Sequence, residues 1–353
     1  MNLQERLRLT IPLIQAPMAG VSTPELAAAV CNAGALGSIG VGATDVAGAR
    51  AMIEYLRGQT TRAFNVNLFV HTPPQPDTSR ERAWLEALRP VFAEFDATPP
   101  EHLQVIYRSF ADDPDMLAML LATRPPVVSF HFGLPSADIL AALRAAGCLL
   151  MATATNLAEA RMIERAGIDI IIAQGIEAGG HRGMFDPDRP DDELSTFVLT
   201  RLLVRQCQRP IVAAGGIMDG AGLAAALKLG AVAGQMGTAF IACPESAADE
   251  AYRAALMGPA AAHTRLTTLI SGRPARALAN RFSAMETRLG HLQPPAYPIA
   301  YDAGKALNAA AKRFGEYGFG AQWAGQGAPL ARTMPAASLV ETIRQELDAC
   351  SKQ

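Results

Sequence analysis

A histidine in a glycine-rich loop is the residue of this sequence best placed to do chemistry. His181 lies in the run AGGHRG (178–183), where small neighbours leave its ring room to approach a ligand. An imidazole with an ordinary pKa of about 6.5 exchanges a proton near neutral pH, so we expect a catalytic role. The alternative is an ordinary surface-loop histidine. His131, in the apolar run SFHFG (129–133), fits a second catalytic residue and a packed core histidine equally well.

Two glycine-containing runs at the ends of predicted strands indicate a phosphate site. One is Gly215-Gly216 and the other is Met236-Gly237-Thr238. Backbone N–H groups beside glycine are unobstructed, and in (β/α)8 barrels the last two strand–helix loops, with the start of a short helix, often bind phosphate. Glycines that only permit tight turns are the alternative. The sequence has no Gly-x4-Gly-Lys-Ser/Thr run, which excludes a P-loop.

Side chains at other predicted strand ends suit a flavin ring. Met18, two residues after Ala16, is apolar and adaptable enough to contact the flat face of an isoalloxazine, although core packing explains it equally well. Asn67 and Gln174 offer amide donors and acceptors that match the polar edge of such a ring.

The elements that position these residues are short apolar runs alternating with helical stretches. The apolar runs are rich in Val, Ile or Phe, as strands buried on both faces are. The helical stretches begin at Ser, Thr, Asp or Asn and end at Gly. Eight βα units predict an α/β fold, a closed (β/α)8 TIM barrel, with an open doubly wound sheet as the alternative. The eight runs span residues 11–16, 36–42, 64–69, 127–132, 148–154, 169–175, 210–216 and 231–237.

Two insertions interrupt this alternation, at residues 70–125 and 242–325. Their composition is unlike that of a flexible linker, so we expect both to fold against the mouth of the barrel. Together they would form a smaller, mainly helical substrate-binding domain. The cofactor-binding barrel domain would then comprise residues 1–69, 126–241 and about 326–353, ending in an amphipathic helix.

Composition disfavours several classes of protein. The net charge is -2 and no Lys/Arg-rich run occurs, so we expect neither nucleic acid nor a membrane surface as a partner. No run approaches the roughly 20 apolar residues of a membrane span. The five cysteines form no Cys-x-x-Cys pair, and the first residues lack a signal-peptide pattern, which predicts a reducing cytoplasm. The histidine spacing predicts no metal site.

Taken together, these motifs resemble the class I nitronate monooxygenases, formerly called 2-nitropropane dioxygenases. The resemblance covers nearly the whole chain. It implies non-covalent FMN, and oxidation of a small anionic nitronate by O2 to an oxo-acid or aldehyde plus nitrite. Propionate 3-nitronate would be the substrate and detoxification the role. The motifs that carry the resemblance are QAPMAGVS (15–22), FNVNLF (64–69), SFHFG (129–133), AQGIEAGGHRG (173–183), AAGGIMDG (213–220), QMGTAF (235–240) and SGRPAR (271–276).

The resemblance also assigns a pocket for the substrate. His181 and His131 would line it, and the segment YPIAYDAGK would place Tyr297, Tyr301 and Lys305 near the flavin. Tyr107 would join them from the first insertion; ordinary packing is the alternative for the tyrosines. Strand-end position and resemblance together name the expected FMN-binding residues as Ala16, Met18, Asn67, Gln174, Gly179, Gly215, Gly216, Gln235, Met236, Gly237 and Thr238.

Two other functions stay open at the level of sequence. One is an FMN- and NADH-dependent reductase of the enoyl-acyl-carrier-protein reductase type, which would share the barrel, the GGH loop and the phosphate site. The other is a sensor that binds a phosphorylated ligand without catalysis. In each case the partners are small molecules, and we expect the chain to act alone or as a homodimer.

Overall fold

Two β-sheets organise the part of the chain that the computed structural model describes, residues 3–350. One has eight strands and the other has three. The strands are β1 (Leu13–Gln15), β2 (Gly37–Gly40), β3 (Phe64–Phe69), β4 (Val127–His131), β5 (Leu149–Ala154), β6 (Ile170–Gln174), β7 (Gly180–His181), β8 (Ile211–Ala214), β9 (Ala233–Met236), β10 (Thr264–Thr267) and β11 (Ala275–Leu278).

The eight-stranded sheet is a parallel barrel. Its strand order is β1-β9-β8-β6-β5-β4-β3-β2, so the last barrel strand pairs with the first. A parallel bridge between Ile14 and Leu36 brings β1 beside β2 at the other side. All eight predicted strands are present, so the predicted (β/α)8 barrel is confirmed and the open doubly wound sheet is wrong.

The helices surround the barrel or belong to the insertions. Four predicted N-caps are observed, because the side chains of Thr23, Ser136, Asn156 and Asp219 each accept a backbone N–H of the first turn. The helices are α1 (Leu3–Leu7), α2 (Pro24–Asn32), α3 (Val46–Gln59), α4 (Thr78–Ala93), α5 (Pro114–Thr123), α6 (Ala137–Ala145), α7 (Leu157–Arg165), α8 (Thr196–Gln206), α9 (Gly220–Lys228), α10 (Glu250–Met257), α11 (Arg281–Ala284), α12 (Glu286–Leu289), α13 (Ile299–Lys312) and α14 (Ala336–Cys350).

The barrel interior is apolar at one end and polar at the other. Residues such as Met151, Ile172 and Val212 fill its lower part, and Leu3 and Leu7 of α1 belong to the same cluster. Because side chains alternate along a strand, the next inward-facing position on each strand lies one layer higher. That upper layer contains Asn67, His131, Gln174 and Gln235, which all border one cavity.

The two insertions pack against each other. The cluster that joins them includes Trp84 and Phe92 of α4, Leu307 of α13 and Phe319. This shared core supports the proposed second domain, whose boundaries stay a prediction. The range 70–125 included α5, however, and Met116 and Leu120 of this helix pack in the cluster that surrounds the barrel strands. The packing of α5 therefore differs from that prediction.

A small antiparallel sheet adds strands to an insertion that the sequence indicates to be mainly helical. β11 pairs with β10 on one side and with β7 on the other, where Ala275 lies opposite His181. β7 is only two residues long and its partner is distant in the chain, so local patterning does not reveal it. The sheet ties the loop that carries His181 to the second insertion.

Two further findings concern residues 3–350. None of their helices is long and apolar enough to cross a membrane. All five cysteines are free thiols, four of them buried.

The last described helix, α14, packs against the barrel as its eighth helix. Truncating one of its buried side chains tests how much this packing stabilises the fold. Leu339 of α14 is 0% exposed and packs in the apolar cluster that also contains Leu13 of β1 and Leu223 of α9. We expect Leu339→Ala to lower the free energy of unfolding by about 2–5 kcal/mol, because it leaves a cavity. The measurement is urea denaturation followed by circular dichroism.

The matched control is Leu330→Ala. Leu330 is 57% exposed, so the same truncation removes little packing and we expect a change within about 0.5 kcal/mol. Equal effects of the two substitutions would contradict the assigned packing of α14.

Candidate active site

One cavity opens at the carboxyl ends of the barrel strands. Its empty volume is about 1300 Å³ with the solvent at its mouth included. Fifteen of the residues that the sequence singles out line it. They are Ala16, Met18, Asn67, Tyr107, His131, Gln174, Gly179, His181, Gly215, Gly216, Gln235, Gly237, Thr238, Tyr297 and Tyr301.

Two of the expected residues do not line this cavity. The side chain of Met236 is buried between the barrel strands and the outer helices, because it alternates with inward-facing Gln235. Only its carbonyl is close, accepting the N–H of Ala16 at 2.8 Å. Lys305 lines an adjoining cavity, and its Nζ lies 4.8 Å from the ring centroid of Tyr107. The direct contacts expected for both residues are therefore not those observed.

One end of the main cavity is built from backbone. Gly215 and Gly216 have φ of +122° and +70°, which favour glycine after β8. Gly237 begins a 3-10 turn, Thr238–Phe240, that no side chain caps. The first N–H groups of such a turn have no partner within it. A Cβ at Gly237 would meet only Ala16 and Met18, at 3.4 Å and 3.6 Å, so this position opens towards the cavity.

A segment of the second insertion covers this end, which the sequence analysis missed. A Cβ on Gly179 would lie 2.5 Å from the backbone nitrogen of Gly325, so the two backbones touch. The N–H of Gly325 donates to Oγ1 of Thr238 at 3.0 Å. Gly325 and Gly327 both line the cavity. Their glycine spacing in AGQG was the available signal, but nothing local shows which loop they meet.

Gln174 and a buried arginine shape the loop after β6. The Nε2 of Gln174 donates to the carbonyl of His181 at 3.0 Å, and the Oε1 of Gln174 accepts the N–H of Gly183 at 2.7 Å. Arg182 is 1% exposed, donates to the carbonyl of Gln174, and forms a two-pronged ion pair with Asp191 at 2.6 and 3.0 Å. Much of the Gln174 amide is thus used to hold the His181 loop.

The two imidazoles are linked through that loop. His131 Nε2 lies 3.1 Å from the carbonyl of His181, and its Nδ1 lies 3.1 Å from the hydroxyl of Thr153. Because a carbonyl only accepts, neutral His131 carries its proton on Nε2. His181 Nε2 lies 2.9 Å from Ser271, whose hydroxyl donates to the carbonyl of Arg273 at 3.2 Å. His181 Nε2 therefore donates to Ser271, which leaves Nδ1 as the acceptor nitrogen.

Aromatic rings surround His181. Its ring centroid lies 5.3 Å from that of Tyr297, 6.2 Å from that of Tyr301 and 5.0 Å from that of Trp323. Trp323 and Ser271 were not singled out from the sequence. Their roles depend on how the second insertion folds back over β6.

Two buried polar atoms at the cavity have no protein partner among residues 3–350. They are Oε1 of Gln235 and the hydroxyl of Tyr297. Unpaired buried polar groups are costly, so a bound ligand is the natural source of their partners. The same part of the chain holds no group of three His, Cys, Asp or Glu side chains suited to a metal ion.

Comparison with known proteins assigns the chain to a family. The family model described as nitronate monooxygenase matches residues 2–346. The chain belongs to the nitronate monooxygenase family. This membership confirms the resemblance and the enzyme class predicted from the sequence.

Individual relatives agree with this assignment. A nitronate monooxygenase from Paraburkholderia phytofirmans is 60% identical over 342 residues, covering 97% of this chain and 93% of that protein. One from Pseudomonas aeruginosa is 56% identical over 336 residues, covering 95% and 96%. The crystal structure of nitroalkane oxidase from Streptomyces ansochromogenes aligns over 100% of this chain and 99% of that one, with a TM-score of 0.90 and 41% identity. FabK from Thermotoga maritima gives a TM-score of 0.74 and 30% identity, covering 99% and 96%.

Burial keeps the imidazoles of His71, His131 and His181 uncharged at neutral pH. Burial, together with the neighbouring His131 and Arg273, lowers the pKa of His181 to about 3. Burial also lowers the pKa of His131 to about 4 and that of His71, next to Tyr297, to about 4. The proton exchange near neutral pH that the sequence suggests for His181 is therefore corrected, because a desolvated imidazole resists protonation.

The tyrosines stay protonated for the same reason. Burial raises the pKa of Tyr107 to about 12 and raises the pKa of Tyr297 well above its ordinary value. At neutral pH their hydroxyls are hydrogen-bond donors.

We expect the imidazole signals of His131 and His181 to show no titration between about pH 5 and 8, because both rings stay neutral when folded. The measurement is NMR of histidine-labelled protein. Unfolding lets these rings bind protons below about pH 6.5, so the free energy of unfolding should fall as the pH drops from there towards about 4.

The control is the same protein unfolded in urea, where every histidine should titrate at about pH 6.5. Titration of either imidazole near that value in the folded protein would show that the site admits water freely.

Proposed function

We propose that this chain is an FMN enzyme that oxidises small nitronates with O2 to an oxo-acid or aldehyde plus nitrite, with propionate 3-nitronate as the substrate and detoxification as the role. The observation that carries the proposal is the two-ended cavity. One end is a glycine cradle of backbone donors, and the other is a ring of neutral imidazoles and protonated tyrosines around His181.

The cavity fits FMN by its donor set. Gly216, Gly237 and Thr238 would hold the phosphate through backbone N–H groups, at the loops where barrels bind phosphate. The unpaired Oε1 of Gln235 supplies an acceptor, which the N3–H of a flavin ring would match. Met18 offers an apolar contact for the ring. When bound, FMN would take up the electrons that the nitronate gives and pass them to O2.

The protein's part is to bind and orient an anion. A nitronate already carries its negative charge on the nitro oxygens, so no base has to remove a proton from carbon. The hydroxyl of Tyr297, buried and without a protein partner, is available to donate to such an oxygen. Neutral His131 and His181 direct their N–H groups at the His181 carbonyl and at Ser271, so they orient the wall of the site without a charge change and leave donation to the tyrosine hydroxyl.

The aromatic side chains around His181 reduce its contact with water, and the ring is half-buried in the cavity wall. Tyr301 and Trp323 stand between the main cavity and the adjoining one that holds Lys305. Hydrogen bonds of a bound anion strengthen when water is absent. We propose that Lys305 acts on the substrate from this adjoining cavity through its positive charge, with its ammonium 5.4 Å from the Tyr301 ring centroid.

Purified protein tests the proposal directly. We expect a yellow protein with a flavin spectrum that consumes O2 on addition of propionate 3-nitronate and releases nitrite. Rapid anaerobic bleaching by NADH would instead favour the reductase alternative. A colourless protein that cannot be reconstituted with FMN would favour the sensor.

We expect His181→Asn to lower kcat/KM for the nitronate by about 100-fold while FMN stays bound, because the ring packed against Tyr297 and Trp323 is lost at the substrate end. Oxygen uptake and flavin absorbance provide the two readouts. The control is His102→Asn, at an exposed residue that does not line the cavity. An unchanged kcat/KM in His181→Asn would remove His181 from its assigned role.

Gly237→Ala tests the glycine cradle. Its φ is -106° and an added methyl group meets no atom closer than 3.4 Å, so the protein should fold normally. The methyl group would occupy the space assigned to the phosphate, and we expect FMN affinity to fall by about tenfold or more. Fluorescence titration of apoprotein with FMN measures this.

Gly58→Ala is the matched control, since Gly58 lies in α3 with no atom within 4 Å of the added methyl group. It should bind FMN like the unchanged protein. Normal affinity in Gly237→Ala would place the phosphate elsewhere.

A further inference from the structure

A buried arginine behind the active-site rings has no assigned part in the chemistry. Arg273 follows β10 and is 3% exposed. One of its terminal nitrogens donates to the carbonyl of Met184, and its Nε has no hydrogen-bond partner among residues 3–350. Within the same part of the chain it forms no ion pair, whereas buried Arg182 has Asp191. A buried cation without a paired anion is costly, so its retention calls for an explanation.

Phe132 connects this cation to the site. The guanidinium carbon of Arg273 lies 4.2 Å from the ring centroid of Phe132. The Phe132 centroid is 4.5 Å from that of His131, 5.7 Å from that of His181 and 5.3 Å from that of Tyr297. Phe132 thus contacts the charge on one side and neighbours three cavity-lining side chains on the other.

The backbone at Phe132 has a strained conformation, which determines where that ring lies. Its φ is 77°, a conformation that bulky residues rarely adopt. Such strain is retained where the surrounding structure enforces it, often at functional sites. Here it places the ring between the guanidinium and the imidazoles, where a cation–π contact partly compensates Arg273 for lost hydration.

The charge of Arg273 affects the pKa values of the titratable groups around it. Burial is the main cause that lowers its pKa to about 10, so it stays protonated at neutral pH. Its charge contributes to the low pKa values of His71, His131 and His181. It also acts against the raised pKa of Tyr297. The acidic side chains that act on it, at longer range than an ion pair, are Glu159, Asp186 and Asp188.

We propose that Arg273, held against Phe132, is the fixed positive charge that favours an anionic ligand at the imidazole end of the cavity. The inference rests on the proposed function, in which the ligand is a nitronate. Because His131 and His181 are neutral, they contribute no net charge, and Arg273, which unlike Arg182 has no ion-pair partner among residues 3–350, supplies it. Arg273 acts through the rings in front of it and is therefore a positioning residue.

The test compares a charged and a neutral probe of similar size. Nitrite and nitroethane would each be titrated into the FMN-loaded enzyme, with binding read from the flavin spectrum. We expect Arg273→Met to weaken nitrite binding by about tenfold and leave nitroethane within about twofold, while Arg273→Lys keeps most of the nitrite affinity. Should Arg273→Met fail to fold, Arg273→Gln keeps an N–H donor for Met184 and serves the same comparison.

A second readout needs no flavin. In apoprotein, NMR should show a higher pKa of His131 in Arg273→Met than in the unchanged protein, because a repelling charge is gone, and no rise in Arg273→Lys.

Equal weakening of both probes, or a rise in the pKa of His131 with both substitutions, would mean that Arg273 only supports packing and would overturn the inference. If the unchanged protein still oxidises nitronate in that case, the proposed function stands. A protein that binds no flavin would overturn both.

Discussion

The site depends on one backbone pairing, that of β7 with β11. This contact fixes the loop after β6 against the second insertion, with Ala275 opposite His181. Once the loop is fixed, the Gln174 amide donates a hydrogen bond to the His181 carbonyl, and the same carbonyl accepts a hydrogen bond from His131 Nε2. The insertion also brings Ser271 to the other side of the His181 ring. A short antiparallel ladder thus sets the orientation of both imidazoles.

The electrostatics of the cavity follow from burial. Desolvation favours the neutral form of His131, His181 and Tyr297 alike, so none of the three titrates near neutral pH, and the Tyr297 hydroxyl is the donor without a protein partner among residues 3–350. Such a site would favour a substrate that arrives as an anion over one that must first lose a proton. The glycine cradle at the other end likewise relies on backbone dipoles, which are insensitive to pH.

The barrel and most of the cavity lining were predictable from the sequence, because they depend on local signals. Apolar runs, cap residues and glycines after β8 and β9 identify strand ends, and in a barrel all strand ends meet. Contacts between distant segments were not predictable. Gly325, Trp323 and Ser271 reach the site only because the second insertion folds back, and the neutrality of His181 follows from burial that no spacing reveals. The sequence correctly predicted that Lys305 lies near the tyrosines, but the structure shows it in the neighbouring cavity.

The close approach of Gly179 and Gly325 has a consequence for biosynthesis. The two residues are far apart in the chain, yet their backbones touch over the cradle. During translation the barrel strands through β9 emerge well before Gly325. A nascent chain halted before residue 325 therefore has the barrel strands and His181 but an uncovered cradle. A ligand bound at that cradle would therefore be covered only once Gly325 has been synthesised and has packed against Gly179.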